Sequence, residues 1–295
     1  MTKKRPDNVG ASVRQRLLNL RGETGEDFNA LLTQYAIERF LYRLSRSSVA
    51  DRFVLKGAML FRVWSGSLHR PTRDLDLLGY GEPTPAAVAS TIQLIVATAV
   101  DDDGIVFDGS NVTAEEIREN QEYGGIRASF TATLDGAVIP MQVDVGFGDA
   151  ITPEALVSPY PVLLGMGEPR LRMYPVETVI AEKLEAAVKL GMVNSRMKDF
   201  YDLLVIFRRH PYDHALMSRA VAGTFLRRGT PLPKALPVCL SDEFGADPDA
   251  AKLWKAFLNR MDLRNEPVDF ALVIAAVRER LWPVLVEARR GHQGD

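Results

Sequence analysis

The chain has 295 residues, of which 46% are hydrophobic and 25% are charged, and its formal net charge is −2. These values are ordinary for a soluble globular protein, and no apolar run approaches the roughly 18 residues of a membrane-spanning helix. The single cysteine, Cys239, excludes an intrachain disulfide framework, and the polar start "MTKKRPDN" lacks the apolar core of a signal peptide. We therefore expect a cytoplasmic protein without a membrane partner.

The charges are distributed unevenly along the chain. Residues 1–50 carry nine Lys and Arg against five Asp and Glu, residues 51–150 carry seven against fifteen, and residues 151–295 carry twenty against eighteen. An acidic middle between mildly basic flanks suits a metal-binding centre beside surfaces that contact nucleic acid. It suits an ordinary solvated surface nearly as well.

The first 104 residues predict helices followed by the start of a mixed core. The expected elements are, in chain order, amphipathic helices at 9–22 and 26–46 broken at Gly22–Gly25, a short strand or turn within 52–60 that enters a helix at Gly57, a strand at 74–80 and a helix at 86–100. The acidic run "DDDG" at 101–104 ends that last helix. We interpret it as a solvated turn rather than a metal site.

Three strand-like runs follow, at 104–109, 124–134 and 137–148, and an Asp135–Gly136 hairpin turn is expected between the last two. From Val176 onward the pattern is helical, interrupted by the proline-rich link "PLPKALP". The order predicts an α/β protein of the α+β type. It divides into an N-terminal helical segment at 1–50, a catalytic core at 51–175 and a helical C-terminal lobe at 176–295.

Asp74 and Asp76 lie two residues apart within the apolar stretch "RDLDLL". Alternate side chains of a strand share a face, so the two carboxylates should point the same way. Like charges at that spacing repel unless both project into water or a cation lies between them. The pair is therefore either a plain surface feature or part of a divalent-metal site.

Asp144 supplies a third carboxylate, in the stretch "MQVDVGFG". It faces the opposite way from Val143 and Val145, and it would join Asp74 and Asp76 if the two strands are neighbours. Three carboxylates in that arrangement can hold two Mg²⁺ ions, or Mn²⁺, for phosphoryl or nucleotidyl transfer.

Lys56 and Gly57 lie at the expected strand-to-helix turn, where a lysine and backbone N–H groups could bind phosphate. The alternative is a turn that binds no ligand. The chain contains no Walker-type P-loop.

Lys183 lies on an apolar stripe of the helix "VETVIAEKLEAAVKLG", and Glu182, Glu185 and Lys189 are expected on the opposite, solvated side. A lysine on such a stripe snorkels to water, pairs with an internal aspartate or contacts a phosphate. Asp199 and Asp202 share one face of the next helix. From periodicity alone, we interpret that face as a solvated stripe with a Lys198–Asp202 pair.

Four stretches together resemble the AbiEii/AbiGii-type nucleotidyltransferase toxins of type IV toxin–antitoxin systems, which include the mycobacterial MenT toxins. The stretches are "FVLKGAML", "RPTRDLDLL", "VIAEKLEAAVKLG" and "SRMKDFYDLL". The N-terminal "ASVRQRLLNL" and "YAIERFLYRLS" are similar to the lead-in of this family. They occur in the family's order over roughly residues 10–207. The resemblance implies a DNA-polymerase-β-like nucleotidyltransferase mixed sheet with N-terminal helices and a helical second lobe.

The resemblance also implies roles for residues of the first two stretches. Gly57 matches the nucleotide-loop glycine, with Lys56 before it and Ala58 where the broader superfamily has serine or glycine. Asp74 and Asp76 match the metal-binding pair, and Asp144 matches the third carboxylate. Arg70 and Thr72 match the R-x-S/T lead into the aspartates.

For the last two stretches, the resemblance implies that Lys183 contacts the triphosphate and that Asp199 is an essential aspartate, which would hold Lys183 or the acceptor. Arg196 matches an arginine that often precedes the last motif.

The activity implied is Mg²⁺-dependent transfer of NMP from an NTP to the 3′ end of tRNA, which would block translation, with a cognate antitoxin encoded nearby as partner. Flanking arginines are either tRNA phosphate contacts or solvated side chains, namely Arg14, Arg16, Arg208 and Arg209. The alternatives are transfer to a protein or aminoglycoside-like hydroxyl, and a non-catalytic protein that binds a nucleotide or the antitoxin.

Overall fold

A computed structural model describes residues 8–66, 72, 74–117, 124–263 and 269–292. Its helices are α1 (Val9–Thr24), α2 (Phe28–Arg46), α3 (Leu60–Ser65), α4 (Pro85–Val96), α5 (Val176–Leu190), α6 (Met197–Arg209), α7 (His214–Arg227), α8 (Asp242–Gly245), α9 (Pro248–Arg260) and α10 (Phe270–His292). Its strands are β1 (Phe53–Lys56), β2 (Leu75–Gly79), β3 (Ile105–Ile117), β4 (Gly125–Leu134), β5 (Ala137–Phe147), β6 (Leu156–Pro159) and β7 (Arg170–Met173). Within the described ranges, no helix has the length and apolar character needed to cross a bilayer.

The two N-terminal helices begin and end at residues suited to those positions. The Asn8 side chain accepts a hydrogen bond from the backbone N–H of Ala11 and so caps α1. Gly25, at φ 74°, ends α1 in the left-handed conformation that glycine adopts readily, and Asp27 then caps α2. The predicted break is confirmed, with the helix ending at Gly25.

The seven strands form one mixed sheet in the order β3-β4-β5-β2-β1-β7-β6. Strand β2 pairs parallel with β5 and antiparallel with β1, while β7 pairs parallel with β1. The other pairs are antiparallel, and β4 and β5 form a hairpin. The strand that follows "RPTR" therefore lies in the middle of the sheet, beside the strand of Asp144, and the predicted mixed α/β architecture is confirmed.

The β4–β5 hairpin turns at Asp135 and Gly136, as its sequence predicts. Both residues have positive φ, 45° and 78°, as a two-residue type I′ turn requires. This turn sets the register along the hairpin, beginning with Leu134 opposite Ala137.

One face of the sheet is apolar and the other carries polar side chains. On β4 the buried positions alternate strictly with half-buried ones, from Ile126 to Phe130. The Phe130 ring packs against Phe40 of α2, with 5.6 Å between ring centroids. The helices α2 and α4 thus lie against the apolar face, and the polar face holds the charged residues considered below.

The turn "DDDG" differs from its prediction at Asp103, which is buried. Both of its carboxylate oxygens bond to Arg43 of α2, at 2.7 and 3.1 Å. Asp102 is exposed and bonds to the backbone N–H of Gly104. The turn therefore anchors a helix to the sheet through Asp103.

The chain divides into two units, which are described separately. The sheet unit contains residues 1–148 and 156–173, and the helical unit contains residues 149–155 and 174–295. Strands β6 and β7 lie in the sheet unit, although their segments gave no strand prediction. The predicted domain boundaries after residues 50 and 175 stay predictions.

The helical unit is built around an aromatic cluster. Phe200 of α6 contacts the rings of Phe244 and Phe270 at 5.6 Å, and Tyr201 contacts Trp254 at 6.2 Å. Because these residues come from four helices, α6, α8, α9 and α10, their packing holds the helices of this unit together.

Candidate active site

Five charged residues lie side by side across five strands of the sheet. Successive registers place Lys56 opposite Asp76, Asp76 opposite Asp144, Asp144 opposite Arg127, and Arg127 opposite Glu115. Paired residues of neighbouring strands point to the same face. This set, which we call the charged row, therefore brings Lys56, Asp76 and Asp144 together on the polar face, as the sequence predicts for the two aspartates.

Gly57 follows Lys56 and directly touches the Asp76 side chain. Its φ is 75°, and a Cβ added to it would lie 2.0 Å from Asp76 Oδ2 and 2.7 Å from Asp76 Cγ. Only glycine fits this position, because any side chain would have to displace the carboxylate. Gly57 and Asp76 therefore form one local structure.

Asp144 is held by Arg127 in a bidentate ion pair. Arg127 Nε donates to Asp144 Oδ1 at 2.8 Å, and Arg127 Nη2 donates to Asp144 Oδ2 at 2.7 Å. The two side chains are 33% and 18% exposed. Arg127, which was not predicted from the sequence, offsets the repulsion expected between the neighbouring carboxylates of Asp76 and Asp144.

Asp74 lies just before β2 and is exposed, so it has no strand partner in the charged row. Its backbone N–H donates to Thr72 Oγ1 at 3.3 Å, which gives Thr72 a role in shaping the lead into the strand. Ala58 is buried in the short turn Gly57–Met59 that joins β1 to α3. Arg70 lies outside the described residues.

The charged row offers the donor chemistry that Mg²⁺ prefers, namely carboxylate oxygens in register on one face. Among the described residues, however, no group of three or more acidic, histidine or cysteine side chains is arranged to hold a metal ion. Both oxygens of Asp144 are engaged by Arg127. Asp76 and Asp144 therefore fit a metal by type and register, and a metal on Asp144 would share its oxygens with the Arg127 guanidinium.

The helical unit contains a second charged cluster around Lys183. Lys183 Nζ donates to Asp199 Oδ1 at 2.6 Å and to Asp202 Oδ2 at 2.8 Å. Arg196 Nε lies 2.9 Å from Asp199 Oδ2. Asp199 and Asp202 are 5% and 0% exposed, so the interpretation of these residues as a solvated stripe with a Lys198–Asp202 pair is wrong.

Burial and charge act in opposite directions on the pKa values of this second cluster. Burial would lower the pKa of Lys183, but the carboxylates of Asp199 and Asp202 outweigh it and raise that pKa above its usual value. Burial would likewise raise the pKa of Asp199, and Lys183 and Arg196 lower it below its usual value. Both groups are therefore held in their charged forms.

The side of α5 expected to be solvated is also partly buried. Glu185 is 1% exposed and accepts a hydrogen bond from Arg228 Nη1 at 2.9 Å. Arg228 also binds Asp149 at 2.9 Å, and its Nη2 lies 3.4 Å from Glu182. Only Lys189 is exposed as predicted. Two charged networks thus flank α5 within the helical unit.

The four arginines considered as nucleic-acid contacts differ in exposure. Arg14 is half-buried over the Phe28 ring, 5.7 Å from its centroid. Arg16 is exposed and bonds to the backbone oxygen of Leu164. Arg208 and Arg209, at the end of α6, are exposed. Contact with tRNA stays a prediction for all four.

Comparison with known proteins identifies the family. A family model described as the nucleotidyl transferase AbiEii toxin of type IV toxin–antitoxin systems matches residues 39–276. No curated protein matches the chain.

Two solved structures from Helicobacter pylori are similar in outline. JHP933 has a TM-score of 0.49 at 15% identity, covering 88% of this chain and 96% of that one. A protein provisionally described as a nucleotidyltransferase has a TM-score of 0.48 at 14% identity, covering 87% and 97%. Since both scores are below 0.5, the assignment rests on the family match. The chain belongs to the AbiEii nucleotidyltransferase toxins of type IV toxin–antitoxin systems.

Proposed function

We propose that this nucleotidyltransferase transfers NMP from a Mg²⁺-bound NTP to the hydroxyl at the 3′ end of tRNA and thereby stops translation. The observation that carries the metal-dependent part is the in-register pair of Asp76 and Asp144 on the polar face, with Gly57 against the Asp76 carboxylate. The tRNA acceptor is supported by the earlier family resemblance.

In this proposal Asp76 and Asp144 hold the metal, and exposed Asp74 completes the ligand set. A bound Mg²⁺ would polarise the attacking hydroxyl and neutralise charge on the triphosphate. Gly57 keeps the Asp76 carboxylate in place, because it leaves room where a side chain would collide. Lys56, the row partner of Asp76, brings positive charge to the side of the pair away from Arg127.

Lys183 and Asp199 belong to the helical unit, and their roles rest on the family resemblance. In the proposal Lys183 contributes positive charge to the triphosphate. Asp199 and Asp202 keep its ammonium charged, since their carboxylates raise its pKa. Membership of a type IV toxin–antitoxin family also implies an antitoxin partner for the protein.

The test incubates the purified protein with total tRNA, Mg²⁺ and each labelled NTP in turn, beside an Asp76→Asn variant. We expect label on tRNA from the wild type and none from the variant. Label on tRNA at equal levels with Asp76→Asn would contradict the metal role of Asp76.

The same assay separates the alternative acceptors. Label on protein would move the acceptor to a protein hydroxyl. Consumption of NTP that depends on an added aminoglycoside and survives high salt would indicate a small molecule, because tRNA contacts weaken steeply with ionic strength. Binding of Mg²⁺–NTP without consumption would indicate a non-catalytic protein.

A further inference from the structure

The Arg127–Asp144 pair occupies the atoms that a metal would need. Both carboxylate oxygens of Asp144 accept hydrogen bonds from one guanidinium, at 2.8 and 2.7 Å. Such a two-point pair fixes the plane of the carboxylate as well as its position. Asp76, the other in-register aspartate, lies on the opposite side of Asp144 from Arg127.

A guanidinium and a divalent cation compete at the same carboxylate. Arginine stays protonated at all physiological pH values, so its positive charge repels a metal ion placed beside the same oxygens. A metal on Asp144 would use the lone pairs that Arg127 leaves, and repulsion between the two cations would weaken the hold of each on the carboxylate. Without a metal, the same pair reduces repulsion between Asp76 and Asp144.

Arg127 has a second acceptor near Asp144. Gln142 lies on the same face of β5, two residues before Asp144. With its amide oxygen turned toward the guanidinium, Gln142 accepts from Arg127 Nε and Nη2, each at 3.0 Å. Arg127 can therefore remain hydrogen-bonded on the polar face when its hold on Asp144 is loosened.

We propose that Arg127 is a positioning residue that serves as the internal counter-ion of Asp144 and competes with the divalent metal for it. Arg127 keeps the carboxylate oriented before metal arrives and lowers the affinity of the site for free metal. This inference rests on the proposed metal-dependent function.

The test measures binding of Mn²⁺ alone, by electron paramagnetic resonance, to the full-length protein without nucleotide. We expect Arg127→Met to bind Mn²⁺ about five- to tenfold more tightly than the wild type, the scale of one lost charge-assisted pair. Arg127→Lys keeps the positive charge but not the two-point geometry of the guanidinium. Its Mn²⁺ affinity should therefore lie between those of the wild type and Arg127→Met. Circular dichroism checks that each variant is folded.

The matched control is Arg172→Met. Arg172 is half-buried on β7 of the same sheet and donates to the backbone oxygen of Asp51 at 3.1 Å, rather than to a carboxylate. Its removal changes the net charge equally, so we expect Mn²⁺ affinity within about twofold of the wild type. If Arg127→Met and Arg172→Met gained Mn²⁺ affinity equally, the change in net charge alone would explain the gain, and the proposal would be overturned.

Two further outcomes separate this inference from the proposed function. If Asp76→Asn abolishes Mn²⁺ binding but Arg127→Met binds no more tightly than the wild type, the counter-ion role is wrong and the metal centre stands. If neither the wild type nor Arg127→Met shows binding that depends on Asp76, both proposals fail.

Discussion

The two charged clusters hold their carboxylates in opposite ways. In the charged row, Asp76 and Asp144 are half-buried neighbours on adjacent strands. In the helical unit, Asp199 and Asp202 are buried and both bond to Lys183. In the first arrangement Arg127 pairs with Asp144 from one side and Asp76 is its like-charged neighbour on the other, whereas in the second one ammonium lies between both carboxylates. This difference fits the metal-binding role proposed for the row and a stabilising role for the Lys183 cluster.

The largest expected effect comes from breaking the buried cluster around Lys183. Lys183→Met would remove the ammonium that the buried carboxylates of Asp199 and Asp202 share, and we expect the free energy of unfolding to fall by about 3–5 kcal/mol. Urea denaturation measures the loss. Lys189→Met, on the exposed side of the same helix, is the control and should cost less than about 1 kcal/mol. A loss below that value for Lys183→Met would contradict the tight pairing.

The next comparison applies one chemical change to both regions. Asp202→Asn should lower the free energy of unfolding by about 3 kcal/mol, because it weakens a buried charge network. Asp76→Asn should change it by less than about 1 kcal/mol, since it also relieves repulsion with Asp144. The unfolding curves of the two variants give both losses of unfolding free energy. Equal losses would contradict the difference between the clusters. Of the two variants, only Asp76→Asn is expected to lose transferase activity while its stability stays close to that of the wild type.

A third variant tests the contact between Gly57 and Asp76. Gly57→Ala should reduce activity by about 100-fold, because the added Cβ displaces the carboxylate from its position. Gly66→Ala is the control: Gly66 has a similar φ of 74°, and no atom of the described residues lies within 4 Å of its added Cβ. Both changes should cost about 1 kcal/mol of stability through backbone strain, so comparable activity of the two variants would argue against the contact.

The smallest expected effect is a pH dependence of the buried cluster. The pKa of Asp199 is lowered on folding, so its stabilising contribution is present above the unfolded value of about 3.9 and is lost as pH falls through the lower folded pKa. The pKa of Lys183 is raised, so its contribution is lost only as pH rises through a folded value above about 10.4.

The stability difference between the wild type and Asp199→Asn should therefore be flat from about pH 5 to 9 and shrink below about pH 4. Chemical unfolding at a series of pH values measures it. A difference that varied through neutral pH would show that another titrating group controls the cluster.

The strand-borne part of the site was largely predictable from local sequence. The Asp135–Gly136 turn fixes the hairpin register, and Arg127 and Asp144 each lie eight residues from it on opposite sides. Counting outward from the turn would thus have found the Arg127–Asp144 pair. The same counting fails for Glu115, because the register shifts between Asp108 and Thr113 on β3.

The helix-borne cluster was harder to predict, because periodicity shows which residues share a face but not what covers that face. Asp199 and Asp202 share the same side of α6, and burial in this unit reverses the solvated interpretation. Strands β6 and β7 were missed for a different reason. Each has only four residues, too few for an alternating pattern to be distinguished from a loop.

The order of the strands also limits how the protein can be made. Strand β1 is flanked by β2 on one side and by β7 on the other, and β7 comes after a segment, 149–155, that belongs to the helical unit. During synthesis, the outer edge of β1 stays unpaired until Met173 has left the ribosome. A nascent chain that stops after Asp144 already carries Asp74, Asp76 and Asp144, yet its sheet ends at an open β1 edge next to Lys56. We expect such a fragment to be inactive and prone to pairing with other chains, so that toxicity begins only when the chain is well past its last candidate metal ligand.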